Sequence, residues 1–109
     1  MGRLNSRKKG HDMERKIMHE LRELGYECFT SRNESKRMDD LKVDLIDNTP
    51  FYFQIKSVER LSPGYHDILK SMPDDKVRAV LHKVNNKGTV AVLSWDDFKR
   101  LLLKKNNDG

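Results

Sequence analysis

Residues 51–57 read FYFQIKS, and the alternation in this stretch decides the predicted fold. Its aromatic and aliphatic side chains would point to one side of a β-strand, while Gln54 and Lys56 would point together to the other side. A strand with so apolar a face belongs in a core, because burial of that face is worth about 25 cal/mol per Å². Burial in a core does not explain why the second face of this strand carries the amide of Gln54 and the ammonium of Lys56.

The segment before this strand predicts its hairpin partner. VDLID (43–47) is short, apolar and rich in β-forming residues, and NTP (48–50) supplies turn chemistry. A three-residue loop would place Asp44 opposite Gln54, with about 5 Å between their Cβ atoms. Asp44, Gln54 and Lys56 would then form one polar cluster at the edge of the core, and a slip of one residue would disperse it.

The remaining predicted elements surround this hairpin. Helices are predicted at 10–24, 65–72 and 95–105, and further strands at 26–31, 76–84 and 89–95, whereas the polar stretch 32–42 shows no periodicity. The order is α-β-β-β-α-β-β-α, in which an antiparallel meander is followed by a helix that crosses to further strands. This order predicts an α/β fold with a mixed central sheet of about five strands flanked by helices.

Length, charge and cysteine usage limit the class of protein. A chain of 109 residues is expected to form one domain and to bury roughly two thirds of its unfolded surface. Lys and Arg outnumber Asp and Glu by 22 to 17, which favours a polyanionic partner, with nucleic acid ahead of an anionic membrane. No bilayer-spanning run and no signal peptide are predicted, so we expect a cytoplasmic protein. The single cysteine, Cys28, excludes an internal disulfide and is expected to be a small buried hydrophobe.

Three segments are predicted along the chain. Residues 1–9 form a flexible basic arm, which is either a solvated tail or a phosphate contact. Residues 10–105 form the single folded domain, and residues 106–109 form a polar tail. The four histidines have no spacing suited to zinc.

The first helix contributes a carboxylate to its apolar side. At about 100° per residue its apolar stripe spans roughly 140°, and Glu14 is the only charged side chain within that arc. A glutamate in the first turn would also gain from the helix dipole, which leaves a structural explanation open. Two acids, an amide oxygen and a lysine at the edge of a core have the composition of a Mg²⁺ site for phosphodiester hydrolysis.

With these residues the chain resembles the PD-(D/E)xK nuclease superfamily, and within it the archaeal and phage Holliday-junction resolvases. The matching stretches are GHDMERKIMHELRELGYECFTSR (10–32), KVDLID (42–47) and FYFQIKS (51–57), and the resemblance extends to about residue 100. It implies a restriction-endonuclease-like core. The family proline is absent, with Val43 in its place.

The resemblance also implies the roles of the site residues. Glu14 and Asp44 would bind Mg²⁺, for which Mn²⁺ would substitute, and Lys56 would serve the attacking water. Gln54 stands where the family carries an acid, and because a neutral amide is a weaker ligand, the backbone carbonyl of Ile55 would carry more of the coordination. A family serine would correspond to Ser31 or Ser35, a choice that stays open.

The implied activity is metal-dependent hydrolysis of DNA, most specifically of four-way junctions, that leaves 5′-phosphate and 3′-hydroxyl ends. A homodimer would match the near two-fold symmetry of a junction. No membrane and no small-molecule cofactor are expected, and a compact nuclease with a basic arm would suit a phage, acting in the host cytoplasm. The predicted DNA contacts are Arg3, Arg7, Lys8, Lys9, His11, Arg32, Ser35, Lys36 and Arg37.

Three other functions remain as alternatives. A nuclease of the same fold would cut duplex DNA or DNA ends. A branched-DNA-binding module that has lost catalysis is favoured by Gln54 and opposed by the retention of Glu14, Asp44 and Lys56. A small structural protein would use Gln54 and Lys56 only to line a wet edge.

Overall fold

The computed structural model describes the backbone of residues 2–108 and the side chains of residues 8–103. Its elements follow the predicted order, with two short helices inserted between the first two strands. They are α1 (Gly2–Glu23), β1 (Cys28–Thr30), α2 (Ser31–Glu34), α3 (Lys36–Asp40), β2 (Leu45–Asp47), β3 (Phe51–Lys56), α4 (Tyr65–Ser71), β4 (Val77–Lys83), β5 (Thr89–Val92) and α5 (Trp95–Asp108).

The strands form a two-stranded and a three-stranded sheet, and the fold is α/β as predicted. β1 and β2 pair antiparallel, while the second sheet has the order β3-β4-β5. β3 and β4 run parallel, from Phe51 opposite Val77 to Lys56 opposite His82, and β4 and β5 run antiparallel. The mixed character of the second sheet follows from α4, which carries the chain back from the end of β3 to the start of β4.

The predicted hairpin of 43–47 with 51–57 is wrong. β2 pairs instead with β1, where Asp47 lies opposite Cys28. The backbone groups at the start of β3 are hydrogen-bonded to residues outside β2. The Phe51 amide donates to Thr49 Oγ1 at 3.1 Å, and the Pro50 carbonyl accepts from the Val77 amide at 3.1 Å. These local and long-range partners replace the ladder that a hairpin would need at its turn.

Asp44 links the two sheets through its own backbone. The Ser31 amide donates to the Asp44 carbonyl at 3.0 Å, and the Asp44 amide donates to the Phe53 carbonyl at 2.8 Å. Asp44 therefore lies beside the middle of β3, close to its predicted position opposite Gln54, although no continuous ladder joins β2 to β3.

The stretch predicted as an aperiodic loop contains α2 and α3, which are too short to show a period. Ser35 caps α3, because its Oγ accepts from the Met38 amide at 3.2 Å. α3 ends with Val43 donating to the Met38 carbonyl and with Lys42 in the left-handed region at φ 66°. This tight helix end turns the chain directly into Asp44.

α1 begins at Gly2, whereas the sequence analysis predicted an arm over 1–9 and a helix from Gly10. Leu, Arg and Lys have high helix propensity, so the helix continues through Gly10 at a cost of about 1 kcal/mol. The side chains of Arg3 and Arg7 lie outside the described residues, as do those of the predicted polar tail. No helix in the described part of the chain is both long and apolar enough to cross a membrane.

Two apolar clusters lie on opposite faces of β3. Phe53 and Ile55 pack with α1, β1 and β2, while Tyr52 packs against the second cluster, which α4 covers. Cys28 is fully buried in the first cluster, as predicted, and burial raises the pKa of its thiol to about 11. The alternation in FYFQIKS thus fixes β3 between two layers, with its apolar residues toward α1.

Candidate active site

The carboxylate of Asp44 is held against β3. Its Oδ2 accepts a hydrogen bond from the Ile55 amide at 2.7 Å, while the backbone of Asp44 is bonded on both sides. A side chain with its backbone and one oxygen fixed in this way loses little further conformational freedom on binding a ligand. Asp44 is therefore a pre-positioned carboxylate at the junction of the two sheets.

Burial raises the pKa of Asp44 from 3.8 to about 6. The Ile55 amide lowers this pKa, the negative charges of Glu14 and Asp39 raise it, and Lys56 lowers it. Two of the predicted site residues, Glu14 and Lys56, are thus close enough to act on the carboxyl of a third, Asp44. The acids around Asp44 make its ionisation more costly, and a bound cation would reverse that cost.

Glu14 lies in the middle of α1 and is 13% exposed. Since α1 begins twelve residues earlier, at Gly2, the dipole of the helix N-terminus does not explain the position of Glu14. Its Oε1 accepts from Arg32 Nε at 3.2 Å. Arg32, which the sequence analysis predicted as a DNA contact, is therefore the ion-pair partner of Glu14 in this structure.

Gln54 and Lys56 lie on one face of β3, as the alternation predicted. Both line a cavity of about 240 Å³ together with Lys42 and with Ser71 of α4. The Gln54 Oε1 lies 3.5 Å from Ser71 Oγ, whose single hydroxyl proton is donated to the Ile68 carbonyl at 2.6 Å. The Gln54 amide thus turns toward α4, and in the described residues it makes no hydrogen bond to Asp44.

The donor set was tested for its fit to Mg²⁺. Among the described residues, no three His, Cys, Asp or Glu side chains lie together as a complete metal-binding group. Mg²⁺ typically binds through one or two carboxylates and completes its shell with water and substrate phosphate. Asp44 and Glu14 fit a cation of this kind, provided that Arg32 releases Glu14, and Ile55, whose carbonyl is the third predicted ligand, is the residue whose amide donates to Asp44.

The predicted DNA contacts divide into several groups. Lys8, Lys9 and His11 lie on α1, and Lys36 pairs with Asp40 at 3.5 Å. Ser35 is used as the cap of α3, and Arg37 lies on the same helix. The structure thus distributes the predicted contacts whose side chains it describes among α1, α2 and α3.

Sequence reasoning missed the surroundings of Ser31 and Asp39. Ser31 is 1% exposed, and its Oγ is buried without a hydrogen-bond partner among the described residues, while its amide holds the Asp44 carbonyl. Asp39 acts on the Asp44 carboxyl from α3. The spacing of these residues gives no signal, because the contacts depend on how α2 and α3 fold back beside β2.

Comparison with known proteins identified no relative. No family model, no curated protein and no solved structure matches the chain.

Proposed function

We propose that the protein is a metal-dependent, structure-selective DNA endonuclease of the Holliday-junction resolvase type. The observation that carries this proposal is the environment of Asp44, whose carboxylate is bonded to the Ile55 amide and influenced by Glu14 and Lys56. Membership of the PD-(D/E)xK superfamily, with its five-stranded core, belongs to the same proposal. The hydrogen bonds of Asp44 to Ser31 and Phe53 support it, because they connect the two sheets.

Asp44, Glu14 and the carbonyl of Ile55 would hold Mg²⁺ or Mn²⁺, which would supply Lewis-acid polarisation of the phosphodiester and a lowered pKa for water. Lys56 would orient the attacking water and neutralise negative charge that develops on the phosphate oxygens. The water oxygen bonds to phosphorus, the bond from phosphorus to the 3′ oxygen breaks, and that oxygen takes a proton. The products are a 5′-phosphate and a 3′-hydroxyl.

Arg32 would have a second role in this scheme. It neutralises Glu14 in the protein alone, at 3.2 Å, and it would become available to a DNA phosphate once Glu14 binds the cation. Such an exchange would keep the charge near Glu14 balanced in both states.

A second copy of the chain is the partner that we propose for the exposed apolar face of β5 and α5. β5 is an edge strand, and the apolar surface that Ala91, Val92 and Leu93 share with two aromatic residues of α5 exposes Trp95 by 66% and Phe98 by 44%. Pairing of β5 with β5 around a two-fold axis would cover both the open edge and the apolar side chains. The dimer would then offer two sites to the two strands of a junction. Sedimentation equilibrium should give a dimer for the wild type and a monomer for Trp95→Glu, and a monomeric wild type would remove this part of the proposal.

The test of the activity is a nicking assay on a synthetic four-way junction and on a linear duplex of the same sequence. We expect paired symmetric cuts on the junction alone, with Mg²⁺ or Mn²⁺ but not with EDTA. Asp44→Asn should abolish the cuts, while Asp74→Asn, which changes an exposed carboxylate before β4, should leave them unchanged. Cuts in duplex DNA or at its ends would favour the other nuclease function. Tight junction binding without cleavage under any metal would overturn the proposal in favour of the binding module.

A further inference from the structure

A basic cavity lies on the other side of α1 from Glu14. It measures about 200 Å³, and its lining includes Lys9 and Lys16 of α1, Lys83, Ser57 and Asn85. At about 100° per residue, Lys9 and Lys16 share one side of α1, whereas Glu14 lies about 160° away from Lys16. α1 therefore separates the cavity from Glu14, whereas along β3 the cavity residue Ser57 directly follows Lys56 of the candidate active site.

The fold places this cavity at the ends of two parallel strands. Ser57 directly follows the last residue of β3, and Lys83 is the last residue of β4. In α/β sheets, ligands commonly bind in the crevice outside the carboxyl ends of parallel strands, where side chains from successive loops converge. Lys83, Ser57 and Asn85 arise from this edge, and α1 adds the other two amines.

The charge of the cavity is unbalanced among the described residues. Lys9, Lys16 and Lys83 form no ion pair there, whereas Lys36 and Lys99 lie 3.5 and 3.2 Å from a carboxylate. The one acid of the lining, Asp12, pairs with Arg15. Lys9 Nζ reaches Asn85 Oδ1 only at 3.5 Å. Ammonium groups gathered in this way repel one another, and a bound anion would remove the repulsion.

We propose that this cavity binds a phosphate group of the nucleic-acid strand that also enters the site at Asp44, an inference that rests on the proposed function. A phosphate offers oxygens to the three ammonium groups, to the Ser57 hydroxyl and to the Asn85 amide, all of which can donate. Ser57 lies two residues from Ile55, or roughly 7 Å along extended chain, which a strand would span with about two nucleotides, since the rise is about 3.4 Å per nucleotide. The cavity thereby positions the strand and takes no part in its hydrolysis.

The experiment measures binding of a fluorescent four-way junction in EDTA, over a series of salt concentrations. Loss of one phosphate contact makes the plot of log binding constant against log salt concentration less steep by about 1. The variant Lys16→Gln/Lys83→Gln should therefore reduce the steepness of this plot by that amount and weaken junction binding about tenfold. The matched control, Lys70→Gln/Lys87→Gln, removes two exposed lysines that do not line the cavity and should leave the slope unchanged. Lys16→Gln alone, at an exposed position, keeps the test valid if the double variant does not fold.

Two outcomes would overturn the inference. Equal losses of junction affinity in the cavity variant and in its control would mean that binding depends only on the total charge of the protein. Binding of inorganic phosphate that the cavity variant abolishes, with junction binding unchanged, would assign the cavity to a free phosphate. Because EDTA excludes cleavage, the result is independent of the nuclease activity, and Asp44→Asn should lose cleavage while it keeps the full salt slope.

Discussion

Asp44 and Asp47 are two partly buried acidic residues at either end of β2, and their surroundings differ. Asp47 Oδ1 is held by close neighbours, because it accepts from the Thr49 amide at 2.9 Å and from the Thr49 hydroxyl, and Lys76 lies 3.8 Å away, while Oδ2 is buried without a hydrogen-bond partner among the described residues. Asp44 has one amide partner, Ile55, and is influenced by two other acids. Asp47 closes a turn, whereas Asp44 has acids beside it whose repulsion a bound cation would offset.

The same contrast extends to pKa. Burial raises the pKa of both carboxyls, and hydrogen bonds to Thr49 and the charge of Lys76 lower that of Asp47. The hydrogen bond from the Ile55 amide and the charge of Lys56 likewise lower the pKa of Asp44, but there Glu14 and Asp39 act in the same direction as burial. A rigidly held carboxylate whose ionisation lowers the free energy of unfolding is typical of a functional site, where residues needed for activity often reduce stability.

The largest expected effect separates the two lysines that accompany these acids. Lys56→Gln should lower the nicking rate on a four-way junction about 10²–10³-fold, because one charge that stabilises the transition state is lost. Lys76→Gln should leave the rate within about twofold, since Lys76 is the partner of Asp47. The measurement is the initial nicking rate of each variant in Mg²⁺. Similar losses of nicking rate in both variants would contradict a specific role for Lys56 in the reaction.

The next effect is on stability and depends on pH. The pKa of Asp44 is higher in the folded state, so its ionisation costs stability above about pH 6, and this cost is absent below about pH 4. Asp44→Asn should therefore raise the free energy of unfolding at pH 8 by up to about 3 kcal/mol and change it little at pH 4. Urea denaturation at the two pH values measures this difference. A variant that is less stable at pH 8 would show that the ionised carboxylate supports the fold.

A smaller effect of opposite sign is expected at the other end of β2. Asp47→Ala should lower the free energy of unfolding by about 1–3 kcal/mol, because the buried Thr49 amide and hydroxyl lose their acceptor. Asp74→Ala, at an exposed position, is the control and should change stability by less than about 0.5 kcal/mol. Urea denaturation at pH 7 measures both variants, and an unchanged Asp47→Ala would remove Asp47 from its structural role.

The sequence predicted those features that repeat along the chain. The alternation of β3 and the spacing in α1 are periodic, so the two-layer setting of β3 and the inward position of Glu14 were both accessible. The strand that pairs with β3 could not be predicted, because the Phe51 amide donates to Thr49 and because 20 residues lie between the end of β3 and the start of β4. Pairing of Arg32 with Glu14 likewise depends on a fold that local patterns do not encode.

The most direct test of the difference between Asp44 and Asp47 is amide NMR during titration with Mn²⁺, whose unpaired electrons broaden nearby signals. We expect selective broadening of the Ile55 amide, which donates to Asp44, and little effect on the Thr49 amide, which donates to Asp47. Asp44→Asn should remove the broadening at Ile55. Unbroadened Ile55 at millimolar Mn²⁺, or equal broadening at Ile55 and Thr49, would contradict a cation site at Asp44.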